Sequence, residues 1–458
     1  MSFPCPWYQI QCKADGNIFL QSEVDALVAG VTGAGAPTDL FLLSHGWNNN
    51  IPDATELYTS LLNVIKPQMD ANADLAARSW AACGVFWPSK KFEDKDLIPA
   101  GAASLNDAVS AEHLKGRVRD LSELSSASDW PADGGAPSPE FAELEALMDS
   151  VEEDPAAQLK AVDLLRSALP GGYASSDDAS NHFLAMKNST LVERLSKPLS
   201  PPAPVPAGTG AASLDPLSEE PVSGLGGAAG LRDLLGGIRS GFLNALNYAT
   251  YYIMKGRAGD VGVKAIAPLL VQLRSKKPEL RIHLIGHSFG CRLLSAAVNA
   301  LPDGDQFRPD TVLLLQGAFS HNGFAKEGDE TDRGVFRDVI EKQKIRGPLL
   351  ITFSHKDQAV GVAYPVASRL SGVTAAALGD AADVYGGLGS NGTQTALTTP
   401  ERVMGTLLPV GGIYPFAAGV PPATPCCLNG DSYIGGHSDI CKPEVAYALA
   451  VAMTAKRL

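Results

Sequence analysis

The chain is poor in basic charge. Its 37 Lys and Arg are outnumbered by 50 Asp and Glu, for a formal net charge of −13. That balance argues against non-specific binding to nucleic acid or to an anionic membrane, both of which need basic patches. Cysteine is also scarce. There are seven in 458 residues, none in a C-x-x-C or Cys/His spacing suited to zinc, so neither a disulfide framework nor a metal site is expected. The odd count fits a reducing compartment. No uninterrupted apolar run approaches the ~18–20 residues of a membrane span. The N-terminus, Met1 to Gly16, holds Pro4 and Pro6 and no apolar core after a basic start, so it does not read as a signal peptide. The expectation is a soluble, cytoplasmic protein with no cofactor.

What is present is core-forming material. Hydrophobic residues make up 45% and charged residues 19% of the chain, enough for a sizeable packed interior. The length is about three times the ~150-residue prior for one domain, so a large decorated domain or two domains are expected. Tyr8 to Cys12 alternates, Asp15-Gly16 offers a turn, and Asn17 to Leu20 returns, which predicts an N-terminal hairpin. Asp39 to Ser44 and Trp80 to Trp87 are short apolar runs stopped by Gly or Pro, with a helical stretch from Asp53 to about Met69 between them. Runs of that kind suit parallel strands buried on both faces.

The strand–helix rhythm breaks at about Leu97 and resumes near Lys255. Between them Glu140 to Val151, Pro155 to Leu169, Asn181 to Leu195 and Leu231 to Met254 show helical spacing. Residues 198–230 hold seven Pro and six Gly, the composition of a flexible connector. After the break come a helix at Val261 to Leu273, a strand at Arg281 to Gly286 and a helix at Phe289 to Ala300. A strand at Thr311 to Leu315, a helix at Val335 to Lys344 and a strand at Pro348 to Phe353 follow. Residues 371–425 lack clear periodicity, and a last helix runs from Pro443 to Lys456. The predicted fold class is α/β, a mostly parallel central sheet with helices on both faces. Residues 1–96 and 256–458 form its core, and residues 97–255 form a helical cap or lid insertion.

Gly286-His287-Ser288-Phe289-Gly290 is a G-x-S-x-G motif. The spacing alone is weak evidence in a glycine-rich chain. Its context is stronger, because an apolar strand precedes it and a helix follows, and a strained strand-to-helix turn is what lifts such a serine clear of a sheet. Gly286 and Gly290 fall where a Cβ would collide with neighbouring backbone. The helix N-terminus under Ser288 would present N–H groups to a developing oxyanion.

Where this motif occurs in α/β-hydrolases, the chain order is nucleophile, acid, histidine. Past Ser288 the histidines are His321, His355 and His437. Asp357 lies just beyond the strand ending at Phe353, and His437 is the one histidine after it. Asp310 precedes its strand and so sits at the wrong end of the sheet, while Asp383 and Asp439 stay open as acids. For the oxyanion the candidate donors are the backbone N–H of Phe289 and that of Trp47, in the loop Ser44-His45-Gly46-Trp47-Asn48-Asn49-Asn50. His45 reads as a loop-holding side chain rather than a base.

His45-Gly46-Trp47, the Gly286 to Gly290 motif, Asp357 and His437, in that order, resemble the α/β-hydrolase superfamily, and within it bacterial serine hydrolases with an H-G-W-N loop. The resemblance covers about 300 residues, 1–96 and 256–458. It implies hydrolysis of an ester or related acyl bond through an acyl-enzyme, with Ser288 as nucleophile, His437 as base and Asp357 as acid. An acyltransferase using the same residues, or a non-catalytic binding module, stays open. Met254 to Gly262, glycine-rich and basic, is read as a hinge back into the core rather than a phosphate cradle. Cys291 is read as a small buried residue. The acidic residues from Glu140 to Asp154 are read as a solvated helix face. Leu144, Leu147, Leu164, Leu165 and Phe183 are read as apolar cap faces, favouring a small-molecule ester with an apolar group.

Overall fold

Eight strands lie side by side, all parallel: β1 (Trp7–Gln11), β2 (Asp39–Ser44), β3 (Trp80–Phe86), β4 (Arg281–His287), β5 (Thr311–Leu315), β6 (Leu349–Phe353), β7 (Val403–Thr406) and β8 (Pro425–Asn429). Their order in the sheet is β1-β3-β2-β4-β5-β6-β8-β7. This computed structural model describes residues 2–89, 109–126, 139–176, 178–196, 237–328, 332–357, 385–394 and 401–456. The connector 198–230 and Asp383 lie outside the described residues.

Parallel neighbours need crossover connections, and helices supply them. In chain order they are α1 (Gln21–Thr32), α2 (Ile51–Ala71), α3 (Ala111–Ser126), α4 (Pro139–Leu147), α5 (Pro155–Ser167), α6 (Ser180–Ala185), α7 (Asn188–Ser196), α8 (Ile238–Val261) and α9 (Ala267–Lys276). They continue with α10 (Phe289–Ala300), α11 (Arg337–Glu341), α12 (Leu388–Asn391) and α13 (Pro443–Thr454). Side chains alternate along each strand between two cores. Leu40, Leu42, Leu284 and Leu314 pack with Leu27 of α1, Leu270 of α9 and Leu294 of α10. Phe41, Leu43, Ile285 and Leu313 pack on the opposite face with Tyr58 and Leu62 of α2 and Leu449 of α13. Helices therefore cover both faces, and the strands read as unbroken apolar runs because neither side meets water. Each fully buried Leu or Phe contributes roughly 1.5–3 kcal/mol relative to exposure.

The N-terminal hairpin is cut short to one antiparallel turn, with the Lys13 N–H donating to the Asn17 carbonyl at 2.7 Å and the Phe19 N–H to the Gln11 carbonyl at 2.8 Å. β1 pairs in parallel with β3, and the returning segment leaves only a bridge between Cys12 and Ile18. The reason lies in α1, which the sequence pattern did not reveal. Its Glu23 accepts from the Gln11 backbone N–H at 2.7 Å and from the Gln9 and Gln11 side-chain amides at 2.6 and 3.0 Å. A helix carboxylate thus satisfies the sheet edge that a second strand would have used.

Nor is there a hinge at Met254 to Gly262. α8 runs through it and continues by a π-helical turn, Gly262–Ile266, into α9. Its glycines serve close packing instead of a bend. A Cβ on Gly256 would stand 2.1 Å from the Tyr173 ring, and one on Gly262 would stand 2.2 Å from the Leu293 carbonyl oxygen. The basic residues there are internal ties. Lys255 Nζ is 2.5 Å from Asp178 Oδ2, and Arg257 donates to the carbonyls of Pro88 and Leu124 at 2.9 and 2.8 Å.

The helical segment shares a core with the sheet. Leu121, Phe141, Leu144, Leu165 and Phe183 are buried in the cluster that holds Leu42 and Leu284, with Leu147 and Leu164 packed against it. These apolar side chains are consumed by helix packing rather than displayed to a substrate. The stretch 371–425 is also more regular than its composition suggests. Among its described residues it contains α12 and β7, and β8 begins at Pro425. β7 is an edge strand with exposed Met404 and Gly405, so no apolar run marks it.

Candidate active site

The carboxyl ends of β4, β6 and β8 bring three loops together. At the end of β4, Ser288 holds φ 56 and ψ −121, a conformation that a non-glycine residue adopts only when its surroundings enforce it. Those surroundings are glycines. A Cβ on Gly290 would lie 2.2 Å from the Ser44 carbonyl oxygen, and one on Gly286 would lie 2.7 Å from the Cys291 nitrogen. α10 is thereby drawn under the turn and against β2. Ser288 is 5% exposed.

The loop after β8 carries His437. Its Nε2 stands 2.9 Å from Ser288 Oγ, and its Nδ1 stands 2.9 and 3.1 Å from the two carboxylate oxygens of Asp357. A ring nitrogen facing a carboxylate bears the hydrogen, so Nδ1 donates to Asp357 and Nε2 accepts from the Ser288 hydroxyl. The Asp357 side chain is fully buried while that of His437 is 20% exposed. The carboxylate is thus shielded and the imidazole faces the open side. Gln316, which the sequence reading did not single out, adds its amide at 3.4 Å from Asp357 Oδ2, while Thr352 Oγ1 donates to its other end at 2.9 Å.

Among the described residues, the other candidate acids and the histidines that follow Ser288 are engaged elsewhere. Asp439 accepts from the Gly435 N–H at 2.9 Å and pairs with Lys442 at 2.6 Å. Asp310 is bound to Arg274 at 2.5 Å. His355 pairs with Asp431 at 2.8 Å. His321 is buried, with its Nδ1 3.3 Å from the Asn391 amide.

The loop after β2 closes over the serine. A Cβ on Gly46 would be 2.5 Å from Ser288 Cβ, so only glycine permits this approach. Trp47 follows it, and its ring stands edge-on to Phe289 with centroids 5.9 Å apart. The Phe289 N–H is the first of α10 and has no helical carbonyl four residues back to bond. His45 holds the loop as its sequence context suggests. Its Nδ1 faces the Gly46 carbonyl at 2.8 Å, and its Nε2 accepts from the Trp87 N–H at 3.3 Å. Burial pushes its pKa down to about 4, so it stays neutral. Further ties to the segment just after β3 come from the Asn48 N–H to the Ser89 carbonyl at 2.9 Å and from the Trp87 indole to the His45 carbonyl at 3.1 Å.

Cys291 is fully buried beneath the turn, and all seven cysteines are free thiols. Among the described residues no group of His, Cys, Asp or Glu is arranged to hold a metal. Among them, too, no helix is long and apolar enough to cross a membrane.

No family model matches the chain, and no curated protein matches it. Among solved structures it is similar to a chain from Pseudomonas aeruginosa described as an uncharacterized protein, at 13% identity and a TM-score of 0.23. That match covers 92% of this chain and 46% of the other, so this chain spans less than half the length of that neighbour.

Proposed function

We propose that the chain is a serine hydrolase of the α/β-hydrolase type that cleaves a carboxylic ester or related acyl bond through an acyl-enzyme. The observation that carries this reading is the unbroken hydrogen-bonded row from Ser288 Oγ to His437 to Asp357, starting at a strained serine. Ser288 Oγ attacks the acyl carbon while His437 Nε2 takes its proton. Asp357 holds the imidazole in the accepting tautomer and stabilises the imidazolium. The oxyanion then lies against the N–H groups of Phe289 and Trp47, each such donor contributing roughly 3–4 kcal/mol in sites of this kind. His437 returns the proton to the departing alkoxide, and water reverses the sequence to release the acid.

Charge develops on the oxyanion and the imidazolium, both served by groups of this chain, so the chemistry requires no cofactor. Trp47, half-buried and one residue past the glycine that meets Ser288, supports an apolar group on the substrate. Tyr251 of α8 packs on Phe289 with centroids 5.6 Å apart, which supports a covering role for the helical segment. Seven free thiols suit a cytoplasmic location.

A fluorophosphonate probe tests the reading. Labelling is expected in the wild type and in Ser295→Ala, and is expected to vanish in Ser288→Ala. An unlabelled wild type would favour a non-catalytic module. A series of esters of rising acyl length, with and without an added alcohol, then defines the substrate and separates hydrolysis from acyl transfer.

A further inference from the structure

We propose that His287, the residue before the serine, is a positioning residue for the base. Its imidazole anchors the main chain at His437 so that one ring meets Ser288 and Asp357 together. The inference rests on the hydrolase reading above and deepens it.

The geometry is direct. His287 Nε2 lies 2.9 Å from the His437 carbonyl oxygen, and the two rings stand 4.9 Å apart at 42°. A carbonyl only accepts, so Nε2 carries the hydrogen and donates it. His287 closes β4 and is 6% exposed, and its Nδ1 has no hydrogen-bond partner among the described residues. A polar ring is thus buried for the sake of one bond.

That bond falls in a loop whose other ties include the Gly435 N–H to Asp439 Oδ2 at 2.9 Å and the Asp439 N–H to the Gly436 carbonyl at 3.2 Å. Gly435 and Gly436 precede His437, and a Cβ on Gly436 would meet nothing within 4 Å. Glycine pairs carry the largest conformational freedom, and neither the ties to Asp439 nor the side-chain bonds to the His437 ring engage the His437 carbonyl. The tie from His287 joins that backbone to the central strand that carries the nucleophile. Both ends of the Ser288–His437 contact are then referred to one rigid element.

The groups facing His287 are His437, Asp357 and His45. Burial first, and then the neighbouring His437, push the His287 pKa down to about 3. The ring therefore stays neutral while His437 gains and loses its proton, and it adds no repulsion to the imidazolium.

Three substitutions test the role. His287→Gln keeps an N–H donor at the matching atom, whereas His287→Phe and His287→Met keep bulk without it. Against a short-chain ester, the apolar variants are expected to lose about 100-fold in kcat with KM within about threefold, since small misplacements of a catalytic group cost that much. His287→Gln is expected to recover most of the loss. The downfield proton resonance of His437 Nδ1–H, bonded to Asp357, should persist in the wild type and His287→Gln and broaden or vanish in the apolar variants. Equal kcat in the glutamine and apolar variants, with the resonance unchanged, overturns the proposal. If the apolar variants do not fold, His287→Asn decides, because its shorter amide falls short of the carbonyl. It should behave as they would, and wild-type behaviour refutes the role. A wild type that hydrolyses no ester and takes no probe sinks the hydrolase reading alone, while the resonance still reports on the anchor.

Discussion

Gly46 and Ser288 touch: a methyl group on Gly46 would stand 2.5 Å from Ser288 Cβ and 3.2 Å from the His287 carbonyl oxygen. The loop after β2 and the turn after β4 are therefore fitted to each other by the absence of one side chain. Ser288 Cβ is fixed by its backbone and the His287 carbonyl is backbone, so neither can swing aside as the end of a long side chain can. Gly46→Ala must shift either the Trp47 donor or the serine. We expect its probe-labelling rate to fall by at least about 100-fold. The accompanying overpacking should cost about 1–3 kcal/mol, read by denaturant unfolding. A variant that labels at the wild-type rate would show that the loop carries no part of the oxyanion site.

Asp357→Asn separates geometry from charge. The amide retains the shape of the carboxylate but offers one acceptor and one donor, so His437 can settle with its hydrogen on Nε2. That tautomer cannot accept from Ser288. If the proposed chemistry holds, a loss of roughly 10⁴-fold in kcat follows, by analogy with Ser-His-Asp triads, with melting temperature nearly unchanged. A loss of only a few-fold would mean that another group orients His437.

How far this site was legible in advance depended on locality. β4 and α10 were read to within a residue because the apolar strand, the glycines and the amphipathic helix lie within twenty consecutive positions. Asp357 and His437 were reached by chain order, although 80 residues separate them. What was missed depends on distant partners. Nothing local in β8 marks Cys426 and Cys427 as a strand, since their pairing with β6 and β7 defines it. Glycines at 256 and 262 suggest a bend until Tyr173 and Leu293 are seen to need the space. Nothing local to the motif assigns His287 a partner, because its acceptor lies 150 residues away.

Two buried neutral imidazoles make stability depend on pH. His45 is held down to about 4 and His287 to about 3, in both cases chiefly by burial. In the unfolded chain both titrate near 6.5. Below that value the unfolded chain binds protons that the folded one does not, so folding weakens as pH falls. The contribution is fully present above about pH 6.5, and the His45 part is exhausted near pH 4, the His287 part near pH 3. Melting temperature should therefore drop steadily from about pH 7.5 to about pH 4.5. His287→Gln, with one such ring fewer, should show the shallower drop relative to its own value at high pH. Parallel curves for the two proteins would mean that His287 titrates alike in both states.

Asp431 ties the loop bearing Asp357 to the loop bearing His437. Its Oδ1 accepts from the His355 N–H at 2.8 Å and from the Ser354 hydroxyl at 3.0 Å, and its Oδ2 accepts from the Asn429 amide at 3.1 Å and faces His355 Nδ1 at 2.8 Å. The Ser354 hydroxyl also reaches the Ile434 carbonyl at 3.1 Å. These bonds outweigh the burial that opposes charge and keep the Asp431 pKa below the usual carboxylate range. Asp431→Ala removes every side-chain acceptor at once, leaving the Ser354 hydroxyl only the Ile434 carbonyl and the His355 N–H to find water. Because His355 is exposed, water can replace part of the network, which limits the stability cost to about 1–3 kcal/mol. Turnover should fall by a comparable amount, about 10-fold in kcat, since Asp357 lies two residues from His355 and His437 six from Asp431. Asp431→Asn keeps the acceptor toward the Ser354 hydroxyl and should fall between the two. If Asp431→Ala lowers stability while kcat stays at the wild-type value, the two loops are aligned by the Ser288, His437 and Asp357 contacts alone.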